Sequence, residues 1–161
     1  MKVEDIINLI KAELGEDCLQ DVNLAATQPY VYVVPEKLIE VCKLLKQHSL
    51  IYFDLLSCIT AVDLGVDKNA FEVVYTLFSI PFAHALHVRV NVDKSKPEIP
   101  TVCTIWKTAD WHEREAYDLM GIKFIGHPDL RRILLPANWE GYPLRKDYTE
   151  QEYYHGVKVK Y

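Results

Sequence analysis

The sequence predicts an α+β fold: a single domain built on an antiparallel-rich mixed sheet with helices on one face, followed by an extended irregular C-terminal arm. Three observations predict it. Apolar residues recur at helical spacing in two stretches near the N-terminus. Two strand-like runs, 71–80 and 84–92, are separated only by "PFA", a hairpin-sized gap. From Ile122 onward neither period can be found, although the chain stays rich in bulky side chains.

Taken in order, Val3, Ile6, Ile7, Ile10 and Leu14 mark a first helix, and Gly15 stops it. "YVYVV" (30–34) is β-branched and aromatic, as a strand requires. Pro35 suits the first position of a second helix with Leu38, Val41, Cys42 and Leu45 on its apolar face. "LIYFDLLSCITAVDL" (50–64) fits one bent strand or two segments, turned by "DLGVDKN". "FEVVYTLFSI" (71–80) alternates loosely. "HALHVRVNV" alternates cleanly, with His84, Leu86, Val88, Val90 and Val92 opposite Ala85, His87, Arg89 and Asn91. After "KSKPEIP", "TVCTIW" suits a short helix. "DWHEREAYDLMG" (110–121) suits a longer one, with Asp110 and Glu113 spaced as a capping box and Gly121 placed to end it.

Composition narrows the function. A length of 161 residues suits one domain, and 50% hydrophobic with 25% charged residues is an ordinary globular balance. A net charge of −5, with no basic face, argues against nucleic acid. No two of Cys18, Cys42, Cys58 and Cys103 have the C-x-x-C spacing of zinc or iron–sulfur ligation, so free thiols in a reducing compartment are expected. Glu4 and Asp5 and the lack of a long apolar run argue against a signal peptide, and no stretch approaches a membrane span of ~20 residues.

Candidate chemistry is sparse. Glu113 and Glu115 sit two apart on a helix and point about 160° from each other, wrong for converging on one substrate atom. His84 and His87, three apart on a strand, face opposite sides and cannot share an ion. His112 and His127 suit structural hydrogen bonding, and nothing places a histidine beside a cysteine. No nucleotide loop or nucleophile elbow is present. A binding or assembly module is expected, with no catalytic residue, metal or cofactor of its own.

Two features point to a surface. Around the helix 110–121, Leu119, His112, Ala116 and Met120 share a core-facing arc. Arg114, Asp118, Trp111 and Glu115 lie opposite, with Arg114 and Asp118 spaced to pair. That face is either a solvated, salt-bridged one or a docking face on which Trp111 is not wasted in water. The segment "HPDLRRILLPANWEGYPLRKDY" (127–148) carries Ile133, Leu134, Leu135, Trp139, Tyr142, Leu144 and Tyr148, too apolar for a disordered tail. Pro128, Pro136 and Pro143 stiffen it, and Arg131, Arg132 and Arg145 offer forked donors. Such an arm lies along another protein, folds back over its own sheet, or does both.

The stretch "EREAYDLMGIKFIGHPDLRRILLPANWEGYPLRKDY" (113–148) resembles the signature of the "30-kilodalton" subunit of proton-pumping NADH–quinone oxidoreductase, respiratory complex I. The matching positions are Glu113-Arg114-Glu115, Asp118, Gly121, Phe124, Gly126-His127-Pro128, Leu130-Arg131-Arg132 and Pro143-Leu144-Arg145-Lys146-Asp147. "AVDLG" and "FEVVYTLFSI" upstream also resemble the family; Thr149 and Tyr142 depart from its commonest residues. The resemblance implies a peripheral-arm subunit that binds no cofactor. NADH, flavin, iron–sulfur clusters and quinone would be held elsewhere in the complex. Its partners would be other peripheral-arm subunits, especially the one that forms the quinone site and the one that holds the terminal iron–sulfur cluster. The location implied is the cytoplasmic face of the cell inner membrane, with membrane association only through the complex. A chain ending at Tyr161 without a transit-like leader fits the unfused bacterial form.

The expected division is a core domain, 1–121, and a partner-binding arm, 122–161. Expected partner contacts are Trp111, Glu113, Arg114, Glu115, Asp118, His127, Pro128, Asp129, Arg131, Arg132, Trp139, Tyr142, Pro143, Arg145, Lys146, Asp147 and Tyr148. The alternatives are a homologous subunit of a membrane-bound nickel–iron hydrogenase and, of a different class, a free-standing carboxylate/histidine hydrolase.

Overall fold

Strand pairing is densest where the sequence alternates best. The computed structural model describes residues 2–159. Up to Asp93 the chain forms α1 (Val3–Leu14), β1 (Leu19–Asn23), β2 (Tyr30–Val33), α2 (Leu38–Gln47), β3 (Leu55–Asp63) and the hairpin of β4 (Ala70–Ser79) with β5 (His84–Asp93). β4 and β5 pair antiparallel without a slip from Ala70↔Asp93 to Ser79↔His84. β3 joins the other side of β4, antiparallel, with a register shift between Leu56 and Cys58. Within the stretch 50–64, Leu55–Asp63 therefore makes one irregular strand, and 50–54 form the turn and coil that lead into it. β2 runs parallel to β5, and β1 runs antiparallel to β2, giving the order β1-β2-β5-β4-β3.

One sheet face is apolar, and the helices cover it. α1 buries Ile6, Ile7 and Ile10; α2 buries Leu38, Val41, Cys42 and Leu45. They meet Phe71, Val73, Tyr75 and Leu77 of β4 and Leu86, Val88, Val90 and Val92 of β5 in one core. Each of the aliphatic and phenylalanine side chains among them contributes about 1.5–3 kcal/mol through removal from water. On the other face the Tyr32 hydroxyl donates to the Glu72 carboxylate, which also faces Arg89 Nη1 at 3.4 Å. His84 and His87 point to opposite sides, the first to Ile51 O (2.7 Å), the second to Thr76 Oγ1 (3.2 Å).

Beyond β5 lie β6 (Glu98–Pro100), α3 (Ala109–Met120), β7 (Lys123–Ile125), and a terminal hairpin of β8 (Tyr153–Tyr154) and β9 (Val157–Lys158). β6 and β7, which precede and follow α3 in the chain, pair in parallel. "TVCTIW" is a turn, not the short helix expected: the Ile105 and Trp106 amides both donate to Val102 O. Val102 and Trp106 are drawn into the core, and Trp106 Nε1 donates to Phe53 O at 3.0 Å.

α3 departs from its expected faces at both ends. Asp110 and Glu113 form no capping box; Thr108 precedes the helix in helical backbone without a side-chain cap. Glu113 turns inward instead, because three donors of the preceding turn need an acceptor there. Asp118 is fully buried rather than solvated. Gly121 ends the helix in the left-handed conformation at φ 72°, as its position predicts. No helix among the described residues is long and apolar enough to cross a membrane.

Candidate functional site

α3 carries two enclosed carboxylates five residues apart, and each organises a different segment. Glu113 Oε1 accepts the Val102 amide at 2.8 Å; Oε2 accepts Thr101 Oγ1 at 2.5 Å and the Cys103 thiol at 3.2 Å. Burial raises the Glu113 pKa, and these donors oppose the rise without cancelling it. Burial likewise pushes the Cys103 thiol up to about 12, so it remains protonated at neutral pH.

Asp118 does the same for the arm. Its Oδ2 accepts three consecutive amides, Ile133 (3.0 Å), Leu134 (2.7 Å) and Leu135 (2.9 Å), while Oδ1 pairs with Arg132 Nη1 at 2.8 Å. Burial acts to raise its pKa, but the amides and the guanidinium outweigh that and hold the carboxyl below its usual value. The expected Arg114–Asp118 pair is absent. Asp118 faces the arm, and Arg114 Nε donates to Arg131 O while its guanidinium lies 5.7 Å from the Trp111 ring centroid.

Two of the three arm arginines serve their own chain. Arg132 Nη2 donates to Trp139 O (3.1 Å) and Gly141 O (3.0 Å), folding the arm into a loop. Arg145 Nε donates to Met120 O at 2.6 Å, satisfying a carbonyl at the end of α3, and stacks near Phe71 and Tyr142. Gly121 is what lets them approach. A Cβ there would lie 2.5 Å from Arg145 Nη2 and 2.6 Å from Tyr142 Cε2. Arg131 points out, 73% exposed at its side chain and, among the described residues, paired only with exposed Asp129.

A third carboxylate, Asp63, clamps the far end of the arm. Its Oδ2 accepts the Lys146 amide (2.9 Å) and Lys94 Nζ (2.9 Å), and Lys94 reaches on to Asp147 at 3.2 Å. Burial works against the charge. Lys94 and the amides of Lys146 and Gly65 prevail, holding the Asp63 pKa at about 2. Leu144 N–H donates to Leu119 O, completing the return of the arm over α3.

Of the residues singled out in the sequence, Glu113 and Asp118 are enclosed, while Trp111, Glu115, Pro128, Asp129, Arg131, Lys146 and Asp147 are exposed or nearly so. Arg114, His127, Arg132, Trp139, Tyr142, Pro143, Arg145 and Tyr148 are packed within the arm or between arm and helix. Apolar side chains nevertheless face outward along this side: Trp111 is 66% exposed, Leu134 62% and Leu144 58%. Two grooves run beside them. One of about 240 Å³ lies between β3 and α3, and one of about 330 Å³ between α3 and the arm; His112 and Glu115 line both.

Sequence reasoning missed the convergence of Cys103, Glu113 and His127, whose ligand-type atoms lie within 4.8 Å of one another. Each already has a partner: His127 Nε2 lies 3.2 Å from Asp110 O, and Nδ1 accepts the Asp129 amide at 3.0 Å. With a protonated thiol and an occupied carboxylate, the set is a hydrogen-bond network joining the turn, α3 and the arm, and it does not suit a metal. Asp63 was missed as an anchor too; its only local signal is its place before the Gly65 turn. Glu113 is enclosed and Glu115 exposed, so the two do not converge.

Known proteins agree with this architecture. Residues 31–154 match the family model described as respiratory-chain NADH dehydrogenase, 30 Kd subunit. An NADH-quinone oxidoreductase subunit of Chloroherpeton thalassium is 51% identical over 118 residues, which are 73% of this chain and 48% of that protein, so the match spans about half of that relative. The corresponding NADH-quinone oxidoreductase subunit of Chlorobium phaeobacteroides is 38% identical over 96% of this chain and 93% of its own length. Among solved structures, a trypsin-resistant fragment of Nqo5 superposes with a TM-score of 0.65 at 29% identity, covering 81% of this chain and all of that one. A chain of an archaeal membrane-bound sulfane sulfur reductase gives 0.77 at 24% identity, covering 92% of this chain and 86% of that one, a likeness of fold alone. The matched span contains most of the sheet, α3 and nearly all of the arm, and this chain belongs to the family of the respiratory-chain NADH dehydrogenase 30-kDa subunit.

Proposed function

We propose that this chain is a peripheral-arm subunit of NADH–quinone oxidoreductase that binds no cofactor and performs no chemistry itself. It braces the quinone-site and terminal iron–sulfur subunits while electrons pass from NADH to quinone and protons are translocated. In this reading residues 1–121 are the scaffold and 122–161 the partner-binding arm, seated on the cytoplasmic side of the membrane through the complex.

One observation carries the reading. The arm is fixed to its own domain by polar pins at Asp118, Met120 O and Asp63, which holds the backbone carrying outward-facing Arg131, Leu134 and Leu144 beside exposed Trp111 of α3. Aromatic and arginine side chains on a pre-ordered backbone are what a docking site requires, since less backbone entropy remains to be lost on association. Glu113, Asp118, Arg132 and Arg145 then act by shaping this surface rather than by touching the partner.

The test is capture of the quinone-site and terminal-cluster subunits by the tagged chain in its host. Arg131→Ala together with Trp111→Ala is expected to lower capture at least about tenfold, the loss of two contacts worth ~1 kcal/mol or more each. The isolated variant should keep its unfolding midpoint, because neither side chain supports the fold. Undiminished capture refutes the proposal.

A further inference from the structure

β3 is the edge of the five-stranded sheet and also one wall of the groove beside α3. Four consecutive residues of it, Cys58 to Ala61, line that groove; since alternate side chains of a strand point to opposite faces, the groove runs along the strand's edge. The direction of that backbone follows from the ladder. The Leu64 amide donates to Ala70 O, so this pair faces inward across the β3–β4 pairing. In an antiparallel pair the inward-facing residues alternate, which turns Val62, Thr60 and Cys58 toward β4 and leaves Ile59 and Ala61 facing out. The β4–β5 side agrees: the Lys94 amide donates to Asn69 O, fixing the opposite parity on β4. Among the described residues, nothing accepts from or donates to the outward N–H and C=O groups of Ile59 and Ala61.

α3 packs beside this edge, and Thr108 Oγ1 ahead of that helix donates to Leu56 O at 3.2 Å. Further along, Ile59 and Ala61 keep backbone unpartnered among the described residues, and the strand lacks the other common protections. Exposed edge strands are commonly kept from pairing by shortness, proline or charge. β1, at the other edge, is five residues long with Asp21 at its register shift. β3 is nine residues long, has no proline, and carries its only charge at its last residue, Asp63. Facing it across the groove, α3 offers Ala116, Leu119 and the carboxylate of Glu115, with exposed Leu144 at the end. Glu115 has neither an ion-pair nor a hydrogen-bond partner among the described residues, whereas Glu113 and Asp118 on the same helix are fully engaged. The groove thus combines unpaired strand backbone, an apolar helix wall and one uncompensated negative charge.

We propose that an extended segment of a partner polypeptide adds to β3 as a sixth strand, bonding to Ile59 and Ala61. Its side chains on the α3 side are apolar and include one basic residue that meets Glu115. Main-chain bonds supply affinity in such strand addition and the alternate side chains supply selectivity. The inference rests on the reading that the chain works within an assembly, and it specifies where and in what conformation one contact is made.

Residue-resolved hydrogen exchange tests it on the isolated chain and on the complex purified from membranes. In the isolated chain the Ile59 and Ala61 amides should exchange within about tenfold of an unstructured amide, while Cys58 and Thr60 are protected by β4. In the complex Ile59 and Ala61 should slow by at least about 100-fold, because a new ladder, and not mere coverage, protects alternate amides. Unchanged exchange in the complex overturns the proposal, as does protection already present in the isolated chain. Protection that rises with concentration of the isolated chain assigns the edge to a second copy and also overturns it.

Ala61→Pro gives an independent reading. It removes a donor that β4 does not use, so the sheet is retained, and incorporation into the complex should fall at least about tenfold; wild-type incorporation overturns the proposal. If Arg131→Ala with Trp111→Ala lowers capture while Ile59 and Ala61 stay fast, the assembly reading stands and strand addition alone fails. If the chain is absent from the complex, both fall.

Discussion

The sheet with its helices and the C-terminal arm are held by different forces. In the first, Phe53, Tyr75, Leu77 and Leu86 are completely enclosed, and their attraction is non-directional. In the second, most apolar side chains are half or fully exposed, and a few carboxylates and guanidiniums bond to backbone at defined angles. Core residues are positioned by being removed from water. Arm residues are positioned by where Asp118, Asp63 and Met120 O happen to be. The difference explains how the molecule keeps bulky side chains on its surface without collapsing them: polar pins fix the backbone, and the apolar groups are left over.

The largest effect comes from cutting into the core. Phe53→Ala is expected to cost about 3–5 kcal/mol of global stability, read as a lowered urea midpoint with arm and sheet unfolding together. Asp118→Ala comes next. It removes the counter-charge of Arg132, which keeps only its carbonyl acceptors, and the acceptor of three amides, a loss of about 3 kcal/mol that falls mainly on the arm. Limited proteolysis should then cut within 126–150 well before the sheet melts; simultaneous loss of both regions would erase the distinction between them.

Acid is the gentlest of these probes, and it separates the carboxylates by sign. Asp118 and Asp63 have folded pKa values below the unfolded value of about 3.9, so their contribution is complete above that pH. It is lost as pH falls through the folded values, which for Asp63 means between about 4 and about 2. Glu113 runs the other way. Its raised folded pKa makes the folded state take up a proton first, so acidification through that range favours the fold at its site. Protection of the 133–135 and 146 amides should therefore fail on acidification before that of α3 and the sheet. Equal loss in both regions would show that the pins are not what holds the arm.

The same contrast explains what the sequence disclosed. Alternation in 84–92 predicted both the strand and its buried face, and the helical repeats predicted the four residues that α2 buries. Those patterns record burial, which repeats along an element. Gly121 was legible because a left-handed cap has a local residue preference. β1 was not, for it holds an edge with little alternation. Nor were the inward turns of Glu113 and Asp118, since their partners lie 10 to 17 residues away and no period encodes them. The arm could be recognised as ordered, yet the destinations of Arg132 and Arg145 required the fold.

The sheet order has a consequence for how the chain is made. β3, β4 and β5 pair with their neighbours in sequence, and so do β1 and β2, but β2 and β5 meet in parallel only after the whole span between them has been synthesised. That one distant ladder closes a long span of chain, and its loop-closure entropy is a cost that the neighbouring hairpins do not carry. Until it closes, Val31 and Val33 on β2 lack the β5 neighbours beside which they are buried in the folded chain.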